Sequence, residues 1–124
     1  MDIKQKTYVL DTLDFYKKNI EIINILKPVK DKLTQGEIDV LAEFCATSPE
    51  LQSGDMFNPL IRKNIQKKWD MSPGSLSNFL RNLRDKGAIH KNSITNVITL
   101  DKLYVFDGKA VGYQLKIENY DSKN

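Results

Sequence analysis

The chain has 124 residues, 40% hydrophobic and 28% charged, with one cysteine, one histidine and a net charge of +3. That composition suits a folded globular chain with one modest core. A lone cysteine rules out an intrachain disulfide, the single histidine argues against a zinc cluster, and charges interrupt every apolar run too often for a membrane span. The opening MDIKQKTYVLD carries acids early and has no apolar signal core, so the expectation is a cytoplasmic protein in a reducing compartment.

Residues 1–11 have no clear period and suit either an extended arm or a frayed helix. From Thr12 to Leu26 apolar residues recur at Leu13, Tyr16, Ile20 and Ile23, with Phe15, Ile22 and Leu26 widening the stripe. This spacing predicts a helix with a broad buried face, ended by Pro28, which either covers the core or forms a protein or homodimer contact. Residues 27–33 read as a basic linker. Thr34 and Glu37 have capping-box spacing at the start of a helix carrying Ile38, Leu41, Ala42 and Cys45 on one face. Cys45 reads there as a small core residue. The stretch 47–57, rich in Ser, Pro and Gly, reads as a connector with room for one helical turn near 50–52.

The stretch 58–91 is the centre of the chain. Asn58-Pro59 and Ser72-Pro73 each combine a side-chain cap with proline at the first helical position, and Gly87 closes the second helix. Two helices over 59–69 and 72–86, joined at Asp70-Met71, form a helix-turn-helix. The first is expected to turn Leu60, Ile61, Ile65 and Trp69 inward and Arg62, Lys63, Gln66 and Lys67 outward. In the second, Leu76, Phe79, Leu80 and Leu83 keep the three-four spacing of a core face. At 100° per residue the opposite face carries Gly74, Asn78, Arg81 and Asp85, flanked by Ser75, Ser77, Asn82 and Arg84. Arg can bond guanine and Asn adenine bidentately, and serines at a helix start can hold phosphates.

Charge points to the same stretch. Residues 58–91 hold eight bases (Arg62, Lys63, Lys67, Lys68, Arg81, Arg84, Lys86 and Lys91) against Asp70 and Asp85, a net of +6. Residues 1–57 hold seven lysines against ten acids, a net of −3, and residues 92–124 balance at four and four. All the excess positive charge therefore sits on the two helices, which favours a polyanionic partner.

After Gly87 the pattern turns extended. Residues 88–91 start a strand, with His90 on its surface; Ile94, Val97, Ile98 and Leu100 suggest more extended chain. Leu103 to Phe106 is a second β-rich run, Asp107-Gly108 a turn, and 111–118 alternates with Val111, Tyr113, Leu115 and Ile117 on one face. This last run is the strongest strand signal in the chain. The polar tail 119–124 reads as loose.

The motif L-T-x-x-E-I-D-V-L at 33–41, the run S-x-x-x-L-S-N-x-L-x-x-L-R-x-K-G-A-I at 72–89 and the closing Y-Q-L-K-I at 113–117 resemble the winged helix-turn-helix superfamily in its broad MarR-like form. The chain also looks like small proteins encoded by bacteriophages, which would place it in the host cytoplasm or the virion. The resemblance implies a mainly α fold with a small antiparallel β-hairpin: an arm and helix over 1–30, a winged-helix domain over 31–118 and a tail over 119–124. It implies base-reading positions at Ser75, Asn78, Arg81 and Asn82 and a backbone contact at Arg84. The wing departs from the family pattern: residues 92–107 contain one base, Lys102, against Asp101 and Asp107, with Lys109 just beyond.

The expectation is a non-enzymatic protein that binds double-stranded DNA and regulates transcription, with the 72–86 helix in the major groove. Its DNA-binding residues would be Ser72, Ser75, Ser77, Asn78, Arg81, Asn82, Arg84, Arg62, Lys63, Lys67 and Lys91. The alternative is a winged-helix protein-interaction module, such as a connector component of a phage particle or a polymerase adaptor. No Walker loop, dinucleotide glycine pattern, H-E-x-x-H or nucleophile elbow is present, and no cofactor is implied.

Overall fold

The computed structural model describes residues 5–47, 55–106 and 110–118. The chain is mainly helical with one two-stranded antiparallel hairpin, an α+β fold. Helix α1 spans Thr12–Leu26, α2 Gln35–Thr47, α3 Pro59–Lys68 and α4 Pro73–Asp85; strands β1, Ile89–Lys91, and β2, Ile98–Leu100, follow. Short 3-10 turns occupy Val29–Asp31 and Lys102–Tyr104. No helix among the described residues is long and apolar enough to cross a membrane.

Side chains cap the helix starts. Asp11 accepts the Asp14 N–H at 2.8 Å, Asn58 the Ile61 N–H at 3.0 Å and Ser72 the Ser75 N–H at 3.1 Å. At α2 the cap is reciprocal: Thr34 Oγ1 accepts the Glu37 N–H at 3.2 Å, and Glu37 Oε1 accepts the Thr34 N–H at 2.9 Å. Helices α3 and α4 end in the same way. In α3 the Met71 N–H returns to the Gln66 carbonyl and the Asp70 N–H to Lys67; in α4 the Ala88 N–H returns to Leu83 and the Gly87 N–H to Arg84. Both are Schellman closures, which need a left-handed residue after the cap. Gly87 takes that role with φ of 79°, and Asp70 takes it with φ of 50°.

Helix α2 lies at the centre and is buried on nearly every side, with Ile38, Val40, Leu41, Ala42, Phe44 and Cys45 inside. Helix α1 packs on it through Tyr16, Ile20 and Ile23, α3 through Ile61 and Ile65, and α4 through Leu76, Leu80 and Leu83. Burial of each such leucine stabilises by about 1.5–3 kcal/mol. Gly36 lets the Phe79 ring approach, since a Cβ there would meet it at 3.2 Å. The hairpin pairs Ile89 with Leu100, His90 with Thr99 and Lys91 with Ile98, and contributes Ile89 and Leu100 to the core.

Several expectations are corrected. The strand after β1 is Ile98–Leu100, whereas 103–106 is no strand: Asp101 caps a 3-10 turn there by accepting the Leu103 N–H, and Tyr104 plugs the core. Residues 111–118, expected as the surest strand, form no strand and are exposed throughout, because alternation alone does not supply a pairing edge. Trp69 and Leu60 are exposed rather than inward; the core side of α3 narrows to Ile61 and Ile65, and Trp69 sits at the cap where the chain leaves the helix. Ile22 and Leu26 are exposed, so the buried stripe of α1 is narrower than its apolar stripe. Phe79 and Arg62 are each half-buried, Phe79 rather than fully inside and Arg62 rather than outward. Met56 and Phe57, read as connector, are core residues, with Phe57 4.7 Å from Phe44 between ring centres. The helical turn at 50–52, the turn at 107–108, Lys109 and the tail at 119–124 lie outside the described residues.

Substituting Gly87→Ala should cost about 1–2 kcal/mol by chemical denaturation. The added methyl meets nothing within 4 Å, so the loss is conformational and the α4 packing should survive in the circular dichroism spectrum.

Candidate nucleic-acid interface

Helices α3 and α4 are joined by the short connector Trp69 to Ser72, and the leucine stripe of α4 fixes which side faces out. Ser72, Ser75, Ser77, Asn78, Arg81, Asn82 and Arg84 are all exposed on or beside the outer face of α4. Arg81 donates to Asn78 Oδ1 at 2.9 Å, which holds these two polar side chains of that face together. Ser72 and Ser75 are engaged with each other at the cap, Oγ to Oγ at 3.0 Å, so their first role is to set the start of α4. Ser77 lies one turn further along. Lys63 and Lys67 are exposed on α3, and Lys91 is exposed at the end of β1.

A groove of about 240 Å³ runs between α3 and the start of α4, lined by Pro59, Arg62, Lys63, Gln66, Pro73, Leu76 and Ser77. Arg62 is held against it, and its Nε is buried without a hydrogen-bond partner among the described residues. A buried donor left without an acceptor costs about 1–3 kcal/mol, so this guanidinium is underused within the chain.

The structure sorts the eight bases of this region into two groups. Lys86 Nζ lies 2.6 Å from Glu37 Oε1, and Lys68 Nζ lies 2.9 Å from Glu43 Oε1. Both carboxylates are buried on α2, so these lysines are anchors between helices. Among the described residues, Arg62, Lys63, Lys67, Arg81, Arg84 and Lys91 have no carboxylate within ion-pair distance. Glu37 was visible in the sequence as a cap but not as an ion-pair partner. Glu43 has only one signal in the sequence, an acid inside an otherwise apolar helical run.

The hairpin loop is built by asparagines. Asn92 Oδ1 accepts the N–H groups of Ile94 and Thr95, and Asn96 turns the chain with φ of 61°. The loop 92–97 holds no charged residue, and Ile94 stands out from it, 89% exposed. At its base His90 Nε2 donates to Asp101 Oδ1 at 2.6 Å. Partial burial raises the Asp101 pKa, but the hydrogen bonds from His90 and the Leu103 N–H, with the charges of His90 and Lys27, outweigh it and hold the carboxyl below its ordinary range. Cys45 is sealed in the core, and burial pushes its thiol up to about 12, so it carries no thiolate near neutral pH. Among the described residues no cluster of three His, Cys, Asp or Glu could hold a metal ion.

No protein-family model, curated protein or solved structure matches the chain.

Glu37→Ala should lower stability by about 2–3 kcal/mol in urea titration. It removes half of the α2 cap and leaves Lys86 unpaired, while the partial exposure of Lys86 keeps the cost below that of a fully enclosed charge. Glu37→Gln keeps an acceptor for the Thr34 N–H and should cost less.

Proposed function

We propose that the chain is a non-enzymatic protein that binds double-stranded DNA, laying α4 in the major groove and acting as a regulator of transcription. The observation that carries the reading is the exposed Asn78–Arg81–Asn82 face of α4, opposite its buried leucines, in a region where Lys63, Lys67, Arg84 and Lys91 are exposed and have no carboxylate partner among the described residues. Arg81 suits the O6 and N7 of guanine, and Asn78 or Asn82 the N6 and N7 of adenine. The Arg81–Asn78 bond breaks on engagement and is replaced by bonds to base edges. Lys63, Lys67, Arg84 and Lys91 are exposed and suit phosphates, with Arg62, Lys63 and Ser77 lining the groove beside α4. The uncharged hairpin tip leaves most of the contact to the two helices.

A second reading, a protein-interaction module such as a connector component of a phage particle or a polymerase adaptor, draws on a different observation. Leu60, 69% exposed on α3, and Ile94 on the hairpin tip are apolar groups without cover. A stoichiometric protein partner in purification, with no DNA affinity at low salt, would favour it.

Selection of bound sequences from random duplex DNA tests the first reading. Binding should weaken steeply with salt, with a log–log slope near −3 to −4 if about four phosphates are neutralised. On a selected site Arg81→Ala should cost about 1–3 kcal/mol, while Lys63→Ala should weaken all sequences alike and flatten the slope by about one. Absence of duplex binding at low salt would overturn the proposal.

A further inference from the structure

The groove between α3 and the start of α4 has a lining of unusual chemistry. On α3 the proline of the first turn, Arg62, Lys63 and Gln66 keep three-four spacing and so share one face. Leu76 and Ser77 of α4, with that helix's own first-turn proline, line the other wall. The polar members are two cations, an amide and a hydroxyl, with no acid among them. None of these four side chains forms a hydrogen bond or ion pair with a described residue. Arg62 is the most costly of them to leave so. It is half-buried, its Nε is sealed off without an acceptor, and its terminal nitrogens bond no described residue either. An anion in the groove would offset a desolvation cost that the chain alone leaves standing.

We propose that this groove seats one phosphoryl group, held by Arg62, Lys63 and Gln66 from α3 and by Ser77 from α4. The occupant follows from the donors. Two unpaired cations call for an anion, and a guanidinium suits phosphate oxygens in particular. A phosphoryl group presents three free oxygens in a tetrahedron and can accept from both helices at once, whereas a carboxylate presents two in one plane. The volume of about 240 Å³ suits a group of that size with some of its water and lies below the range of drug-sized ligands. The group belongs either to the backbone diester of DNA or to a free small phosphate monoester. The diester source rests on the DNA-binding reading; the seat itself does not.

Nuclear magnetic resonance of the full chain tests it through the Nε–H signal of Arg62, assigned by its loss in Arg62→Gln. Titration with methyl phosphate, at an ionic strength held constant with chloride, should move this signal saturably at millimolar concentration. Gln66→Glu is close in size and sets an acid one helical turn from Arg62. It should weaken methyl phosphate binding about tenfold or more without lowering the thermal melt, and the exposed Ser77→Ala should weaken it about threefold. Duplex DNA then separates the sources. A duplex that displaces methyl phosphate from the groove identifies the backbone diester. A duplex that leaves it in place, or does not bind at all, identifies a free monoester, and the second of these outcomes counts against the DNA-binding reading alone. No saturable shift with methyl phosphate, the same shift with chloride, or a shift that survives Gln66→Glu would each overturn the proposal.

Discussion

The arrangement depends on one buried carboxylate. Glu37 accepts the Thr34 N–H that opens α2 and takes Lys86 from the end of α4 on the same oxygen. It ties the start of the central helix to the end of the outermost one. A charge so buried is tolerated only with its partners in place, which fixes how α4 is set on α2. Glu43 and Lys68 repeat the device toward α3. The two helices of the candidate interface are thus each held by leucine or isoleucine packing and by one ion pair at their C-terminal end, where a cation also meets the helix dipole favourably.

This arrangement divides the basic residues by role. A lysine whose charge is neutralised by a buried acid adds rigidity and little external field. Among the described residues of 58–91, Arg62, Lys63, Lys67, Arg81, Arg84 and Lys91 have no carboxylate partner, so their charge acts outward. The acidic N-terminal half contributes to that polarity, since two of its acids face inward to hold the helices and do not cancel the exposed bases.

The helices were legible in the sequence because their signals are local. Cap, proline, three-four apolar spacing and the closing glycine of α4 all lie within one segment, and Leu76, Leu80 and Leu83 fix its buried side. Exposure of Asn78, Arg81 and Asn82 followed from the same periodicity. The hairpin was less legible, because strand pairing is set by contacts between distant segments. The three-residue β2 carried a weaker pattern than 111–118, yet it has the partner: the Asp101 N–H bonds the Ala88 carbonyl, which holds β2 beside the end of α4. Trp69 was misplaced for a related reason. Its spacing matched the inward stripe, but the helix ends at that residue and the stripe ends with it. Met56 and Phe57 gave no periodic signal, being two core residues in a connector.

The bonds from Lys27 to Tyr104 and from Asn19 to Tyr113 join positions 77 and 94 residues apart. Contacts of such sequence separation form late, because a long loop must close before they stabilise anything. During synthesis α1 and α2 emerge together and can pack, but the side of α1 that receives Tyr104, Phe106 and Tyr113 stays bare until the hairpin has left the ribosome. The first helix made is thus the last to be completed.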